Sequence, residues 1–529
     1  MGRLSDVMIS PSRRTVLRNS LLAVPALLPA ASFGEAGRRS LRTISIFHTT
    51  DLHGHIRPTQ MYNGIGNVGG LARCAAQIRT WRRESPDSLL VDVGDVYQGT
   101  PLGWLTRGRL MIDLFNRLRY DAWVLGNHEF DWGPEVVRDA VGRSQMPVLA
   151  GNMKVEGGRA GELDDAGNPL AGILPHVIQE VGGFRIGLVG LTTPGLPYWL
   201  RPELLEGFEA TDPAAALRAS STYLREEGRA DAVIACGHMG LRDEDDFANH
   251  VRELLEQEEG PDVYLGGHTH RDQGSRFAGR TLYSQANYFG IHCGRVDLSF
   301  ELESRRLVDR RAYTLLMDGR IAEDPLVLEV AGPRIEEADA HLVEKMGELE
   351  VELSDRAPAP GAGSPLQGLL AKAFLHAAQE EKIDADGVFH GTFGSGPMAA
   401  GPKTIADAWK LLPYDNRLVV LSLTREELLG ILNESLGEGG DRALFGFELE
   451  VARTERNRLG ERGAYFVRSL RSVRRAGPHP PGHRFRILFN SYDAQSGGKR
   501  LMRLRALAQR PECGAKLLQP SSREALVDY

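Results

Sequence analysis

Seven side chains with metal-ligating atoms stand just past the ends of apolar runs. Asp51 and His53 follow "TISIFHTT", Asp95 closes "SLLVDVGD", Asn127 closes "AWVLGN", His238 closes "DAVIACGH", and His268 and His270 follow "DVYLGG". The densest stretch, "VLGNHEFDWG", sets Asn127, His128, Glu129 and Asp131 directly behind Val124 and Leu125. Polar groups crowded at a buried strand end cost stability unless something there engages them. A lone buried His or Asp is ordinarily a hydrogen-bonded core residue or a helix cap. Five successive strand ends closing on Asp, His or Asn point instead to a metal centre. Seven donors suffice for two ions if one carboxylate bridges them. The D-x-H and H-x-H spacings set alternate residues on one side of an extended tip, and Gly94, Gly126, Gly237 and Gly267 permit tight turns.

A sheet must position these residues. From about residue 42, short apolar runs alternate with amphipathic segments such as "GGLARCAAQIRTWRRE", "MIDLFNRL" and "PEVVRDAVG". Apolar strands separated by helices imply an α/β fold with a sheet covered on both faces. In such folds, sites form beyond the carboxyl ends of the strands, so residues far apart in sequence converge there. Residues 324–352 read as one charged, exposed helix, and "APAPGAGSP" after it marks a boundary. A second domain is expected over 353–525, with helix "IADAWKLL" behind a Thr404 cap and a capping box at Thr424-x-x-Glu427.

The chain's 529 residues exceed what one core can use and suggest two or three domains. With 42% hydrophobic and 25% charged residues the composition is that of a globular protein. A formal net charge of −7 gives no basic face for a nucleic acid polymer. The four cysteines have no CxxC spacing and indicate neither a disulfide framework nor a thiolate metal site. "SPSRRTVLRNSLLAVPALLPAASFGEA" places Arg13 and Arg14 before an apolar stretch too short and too broken by proline to span a membrane. "SRRTVL" resembles a twin-arginine export signal, which predicts a leader over 1–36, the twin-arginine machinery as a partner, and a mature chain without a membrane span outside the cytoplasm, in the periplasm or beyond.

The series "DLHGH…GD…GNHEFD…GH…GHTH" resembles the signature of calcineurin-like metallophosphoesterases. Together with "QANYFGIHCGRVDL" and the second domain, it makes the chain similar to the 5'-nucleotidase family over nearly all of residues 43–510. That family includes UDP-sugar hydrolases and 2',3'-cyclic-nucleotide phosphodiesterases. The resemblance implies a four-layer αββα sandwich over 42–322, a linker helix over 323–352 and a smaller α+β substrate domain over 353–525. It implies that Asp51, His53 and His270 hold one divalent ion and Asn127, His238 and His268 another, with Asp95 bridging. Ligation by oxygen and nitrogen alone suits Mn, Zn, Fe or Co. His128 matches the family histidine that stabilises the transition state or protonates the leaving oxygen, and Asp131 the carboxylate that orients it. Glu129 is expected behind the ligands or in solvent.

In the second domain the family sandwiches a base between two aromatic rings and meets the phosphate with arginines. "LLPYDN" puts Tyr414 at one ring position with Asn416 beside it, and "FNSYDAQSGGKR" puts Tyr492 at the other. The arginines are missing: Gln367, Gly368 and Ser395 stand near their positions, and Lys499 follows the Gly-Gly pair where Asp is usual. Lys499 and Arg500 offer cations from a different direction, the lysine without a bidentate fork. The leading reading is an exported dimetal hydrolase of nucleotide-like phosphate esters. Its alternatives are a thiosulfohydrolase of sulfur oxidation sharing the metal site and a catalytically idle binding module.

Overall fold

The structure is a computed structural model. It describes residues 40–164, 168–257, 260–392, 396–437, 441–454, 464–475, 477, 479–480 and 482–529. The expected leader with Arg13 and Arg14, and Ser395, lie outside the described residues.

Two twisted sheets carry the first part of the chain. One runs, edge to edge, through Leu307–Leu316, His292–Glu301, Leu41–Thr49, Ser88–Asp92, Ala122–Val124, Val148–Leu149 and Ile173–Leu174. From Leu41–Thr49 onward its neighbours are parallel, while the two long strands on the other edge are antiparallel. The other sheet runs through His176–Val181, Phe184–Leu191, Ala232–Gly237, Val263–Gly266, Thr281–Ala286 and Asp272–Ala278. Its centre is parallel as well.

Alternation along each strand stacks the sheets face to face. Ile44, Ile46, Leu89 and Val91 meet Ile186, Leu188, Ile234 and Leu265 between the sheets. Phe47 and Leu90 point the other way, under helices Leu71–Glu84, Arg109–Leu118 and Pro134–Arg143. Helices Pro213–Glu226 and Val251–Leu255 cover the far side of the second sheet. The order is helix, sheet, sheet, helix: the four-layer αββα architecture. Strands buried on both faces need apolar residues at every position, so the central runs read as continuous rather than alternating.

The smaller α+β part is built on a five-stranded sheet with strand order Arg442–Phe445, Gly387–Gly391, Arg484–Asn490, Arg417–Thr424 and Lys516–Ser521. Helices Pro365–Glu380 and Ser522–Asp528 pack on one face, and Arg425–Gly437 and Met502–Ala508 on the other. The Thr424 box is complete: Thr424 N donates to Glu427 Oε2 at 2.8 Å and Glu427 N to Thr424 Oγ1 at 3.2 Å. Leu41–Tyr529 hold together as one unit. The single helix expected over 324–352 is corrected. A helix capped by Asp324 spans Pro325–Leu342, then Lys345–Leu349 turns into a strand paired with Gly401–Thr404. Gly347 disfavours continued helix, and the polar-apolar alternation after it fits an exposed edge.

Candidate metal centre

All seven sequence-selected ligands gather beyond the carboxyl ends of parallel strands from both sheets. Asp51, His53, Asp95, His268 and His270 have φ between 48° and 69°. The left-handed region costs a non-glycine residue on the order of 1 kcal/mol or more and persists where the surroundings impose it. The extended tips expected from D-x-H and H-x-H are thus corrected to left-handed turns, which fold both side chains of each pair inward. Asp51 N donates to Gly94 O and His53 N to Asp95 O, both at 2.9 Å, tying the first two tips together. The glycines serve close approach: a Cβ on Gly94 would lie 2.7 Å from His238 Nδ1, and one on Gly126 2.3 Å from Asp95 Oδ1.

Asp51, His53 and His270 each bring a ligand atom within 4.8 Å of the others, and so do Asp95, His238 and His268. Asp95 Oδ2 lies 3.0 Å from His238 Nε2 and 3.7 Å from His53 Nε2, between the groups, where a bridging carboxylate belongs. His53 and His238 rest Nδ1 on the carbonyls of Gln98 and Val93 at 2.8 and 2.7 Å. A carbonyl only accepts, so Nδ1 carries a proton and Nε2 is the nitrogen that faces inward. His270 sets Nδ1 2.7 Å from the hydroxyl of Tyr62, an exposed residue absent from the expected set.

These residues fit a pair of divalent cations. The inward nitrogens of His53 and His270 are 3.1 Å apart. Buried Asn127 Oδ1 has no hydrogen-bond partner among the described residues, and His238 Nε2 faces the Asp95 carboxylate at 3.0 Å. Lone pairs and carboxylates gathered this closely repel one another without a cation, and nitrogen and oxygen donors lacking thiolate suit Mn, Zn, Fe or Co. Burial holds His53 and His268 down at about 3, the neutral form a ligand requires. At His238 burial acts in the same direction, but adjacent Asp95 outweighs it and holds the ring at about 10; the attraction that keeps a proton there also serves a metal ion.

Beside this cluster, His128 Nδ1 lies 2.7 Å from Asp131 Oδ2, and His128 N donates to Asp95 Oδ1 at 2.8 Å. Burial lowers the imidazole pKa, yet Asp131 and Asp95 together lift it to about 9. Glu129 is wholly buried, so its placement in solvent is excluded. Its carboxylate accepts from the backbone N–H groups of Asp95, Val96 and Gly126 at 2.9, 2.7 and 2.6 Å, fastening the two loops that carry Asp95 and Asn127.

The calcineurin-like phosphoesterase family model matches residues 44–272, a span that includes every candidate ligand. Residues 44–272 are a calcineurin-like phosphoesterase domain. Rat 5'-nucleotidase is 33% identical over 265 residues, 49% of this chain and 42% of that protein. The chain spans about half the length of the curated relatives it matches. Among solved structures, the 5'-nucleotidase precursor from Thermus thermophilus superposes with a TM-score of 0.67 at 24% identity, covering 92% of this chain and 96% of that one. The sulfate thiohydrolase SoxB from Thermus thermophilus superposes at 0.60 with 19% identity, covering 92% and 93%. At these identities the two structures share the fold.

Between the phosphoesterase domain and the smaller part lies a cavity of about 360 Å³. Asn127, His128, Asp131 and His268 face it from the phosphoesterase domain; Tyr414, Asn416 and Tyr492 face it from the other side. The Tyr414 ring lies on His128, with centroids 5.6 Å apart and planes 16° from parallel. Lys499 is not brought here. Its ammonium sits over the rings of Tyr198 and Phe247, 4.4 and 4.9 Å from their centroids, and Arg500 lines the cavity instead. Gln367 is spent on a capping box and on the Asp441 carbonyl. Sequence reasoning also missed Trp199 and Arg201, which line the cavity from the loop after Phe184–Leu191. The sole signal for them was two large side chains in a loop that follows a strand of the site sheet.

Proposed function

We propose that this chain is a dimetal phosphohydrolase acting on nucleotide-like phosphate esters, of the 5'-nucleotidase or cyclic phosphodiesterase kind. The observation that carries this reading is Asp95 facing both ligand groups, with the His128–Asp131 pair beside them on one cavity. Bound by Asp51, His53 and His270 on one side and Asn127, His238 and His268 on the other, a divalent pair supplies Lewis-acid polarisation of a phosphoryl group and a nucleophilic water at neutral pH. Asp131 fixes the His128 ring and its charged form, leaving Nε2 to hand a proton to the departing ester oxygen. Glu129 keeps both loops in register for that transfer. Tyr414 and Tyr492 offer flat faces to a base, and Asn416 a polar edge. Residues 42–322 act as the catalytic domain and 353–525 as the substrate domain, joined by the helix Pro325–Leu342 and the strand Lys345–Leu349 that follows it.

Phosphate release by the metal-loaded protein, screened over nucleotides, cyclic nucleotides, nucleotide sugars and simple phosphate esters, tests the reading. Release from a nucleotide supports it. Sulfate release from a thiosulfonate-bearing protein, with no phosphate released from any ester, would replace it with the thiosulfohydrolase. The Arg13-Arg14 leader supports export by the twin-arginine route, and an Arg13→Lys, Arg14→Lys chain is expected to stay in the cytoplasm.

A further inference from the structure

The cavity holds four charged side chains besides the metal-facing groups: Asp131, Asp415, Arg201 and Arg500. Both carboxylates are engaged. Asp131 holds His128, and Asp415 accepts from Trp132 Nε1 at 2.8 Å and pairs with Arg523. Arg500 donates through Nε to the Gly497 carbonyl at 2.9 Å, and its Nη1 lies 3.6 Å from Asp441. Arg201 differs from all of them. Its Nη1 is shielded from solvent and has no hydrogen-bond partner among the described residues. A guanidinium stays charged at any working pH, and no hydrogen bond or ion pair among the described residues occupies this one, so its charge on the cavity wall is left for an anion.

The residues that the sequence resemblance would set at the phosphate offer no such group here. Gln367 closes a helix cap, Gly368 has no side chain, and Lys499 packs on two aromatic rings. We propose that Arg201, supported across the cavity by Arg500, is the grip for the substrate's phosphoryl oxygens, delivered from the phosphoesterase domain rather than from the smaller part. This deepens the phosphohydrolase reading and rests on it. The fork of a guanidinium matches two phosphoryl oxygens at once, a geometry that a lysine ammonium lacks. Arg201 follows Trp199 by two residues, and Trp199 lies against the ligand His268 with ring centroids 5.1 Å apart, so the loop is anchored beside the ions' site.

The test is binding of inorganic phosphate to the metal-loaded protein by calorimetry, with metal content measured on every variant. Arg201→Ala is expected to keep both metals and weaken phosphate binding by about 10–100-fold, the effect of losing one charge-assisted contact. Arg201→Lys is expected to fall between it and wild type, and serves if the alanine variant does not fold. Arg117→Ala, which removes an exposed charge on helix Arg109–Leu118, controls for the overall field. An equal loss in Arg117→Ala, unchanged binding in both Arg201 variants, or no phosphate binding by wild type would overturn the grip. Hydrolysis is read separately. Arg201-dependent phosphate binding with no ester cleaved would sink the proposed reaction and leave the grip standing, whereas cleavage with Arg201-independent binding would do the reverse.

Discussion

His128 is the side chain whose loss separates proton transfer from metal binding. It touches Asp131 and Asp95 yet belongs to neither ligand group. His128→Ala is therefore expected to retain both metals and to lower kcat by about 10²–10⁴-fold, the range for a positioned acid–base group. Elemental analysis beside steady-state rates checks this; loss of an ion would make His128 a ligand. Tyr62 makes the opposite case. Its hydroxyl holds His270, while its ring stacks on Tyr288 with centroids 4.3 Å apart. Tyr62→Phe keeps the ring and removes the hydroxyl, so one ion is expected to bind about 10–100-fold more weakly, as for other outer partners of ligand histidines. Chelator competition reads it, and two unchanged affinities would refute it. The convergence of the seven candidate ligands was legible because their types recur at strand ends. Tyr62 was not, because it sits 67% exposed in an irregular loop where no spacing marks it.

At the scale of elements, the site depends on loops that nearly touch. Gly126 has no room for a side chain: a Cβ would lie 2.3 Å from Asp95 Oδ1 and 2.6 Å from Asp95 N. Gly126→Ala must push the Asp95 and Asn127 loops apart. It is expected to lose metal and about 1–3 kcal/mol of stability, as overpacking does. Thermal unfolding with metal analysis checks it; a wild-type melting point with two bound ions would contradict it. The parallel strands were readable because burial on both faces enforces long apolar runs, as in "SLLVDVGD". The left-handed turns at Asp51 and His268 were not, because left-handed backbone is uncommon even at Asp and His and no local spacing marks where it occurs. The segment after Leu342 misled for a related reason. Charged residues suit an exposed helix and an exposed edge strand alike, and its partner, Gly401–Thr404, lies far away in sequence.

For the whole molecule, the proposed reaction draws its chemistry and its recognition surface from different parts of the chain, whose side chains meet at one cavity, where Tyr414 lies on His128. Tyr414→Ala is expected to raise KM for AMP by the equivalent of about 1–3 kcal/mol of lost base stacking, and KM for p-nitrophenyl phosphate by less. Equal effects on both substrates would leave Tyr414 as packing between the two parts. This meeting was only half visible in sequence. The tyrosines could be placed by their motifs, but Arg201 and Trp199 reach the cavity from a loop whose position depends on how the parts pack. Across the described residues no helix is long and apolar enough to cross a membrane. The central claim is a hydrolase whose two ions share Asp95. Its most direct test is phosphate release followed against bound metal as metal-stripped protein is reconstituted, for wild type and for Asp95→Ala. Release by wild type is expected to rise until two divalent ions per chain are bound, with Asp95→Ala holding fewer than two and releasing none. Hydrolysis by metal-free protein, or wild-type turnover by Asp95→Ala with two ions bound, would contradict it.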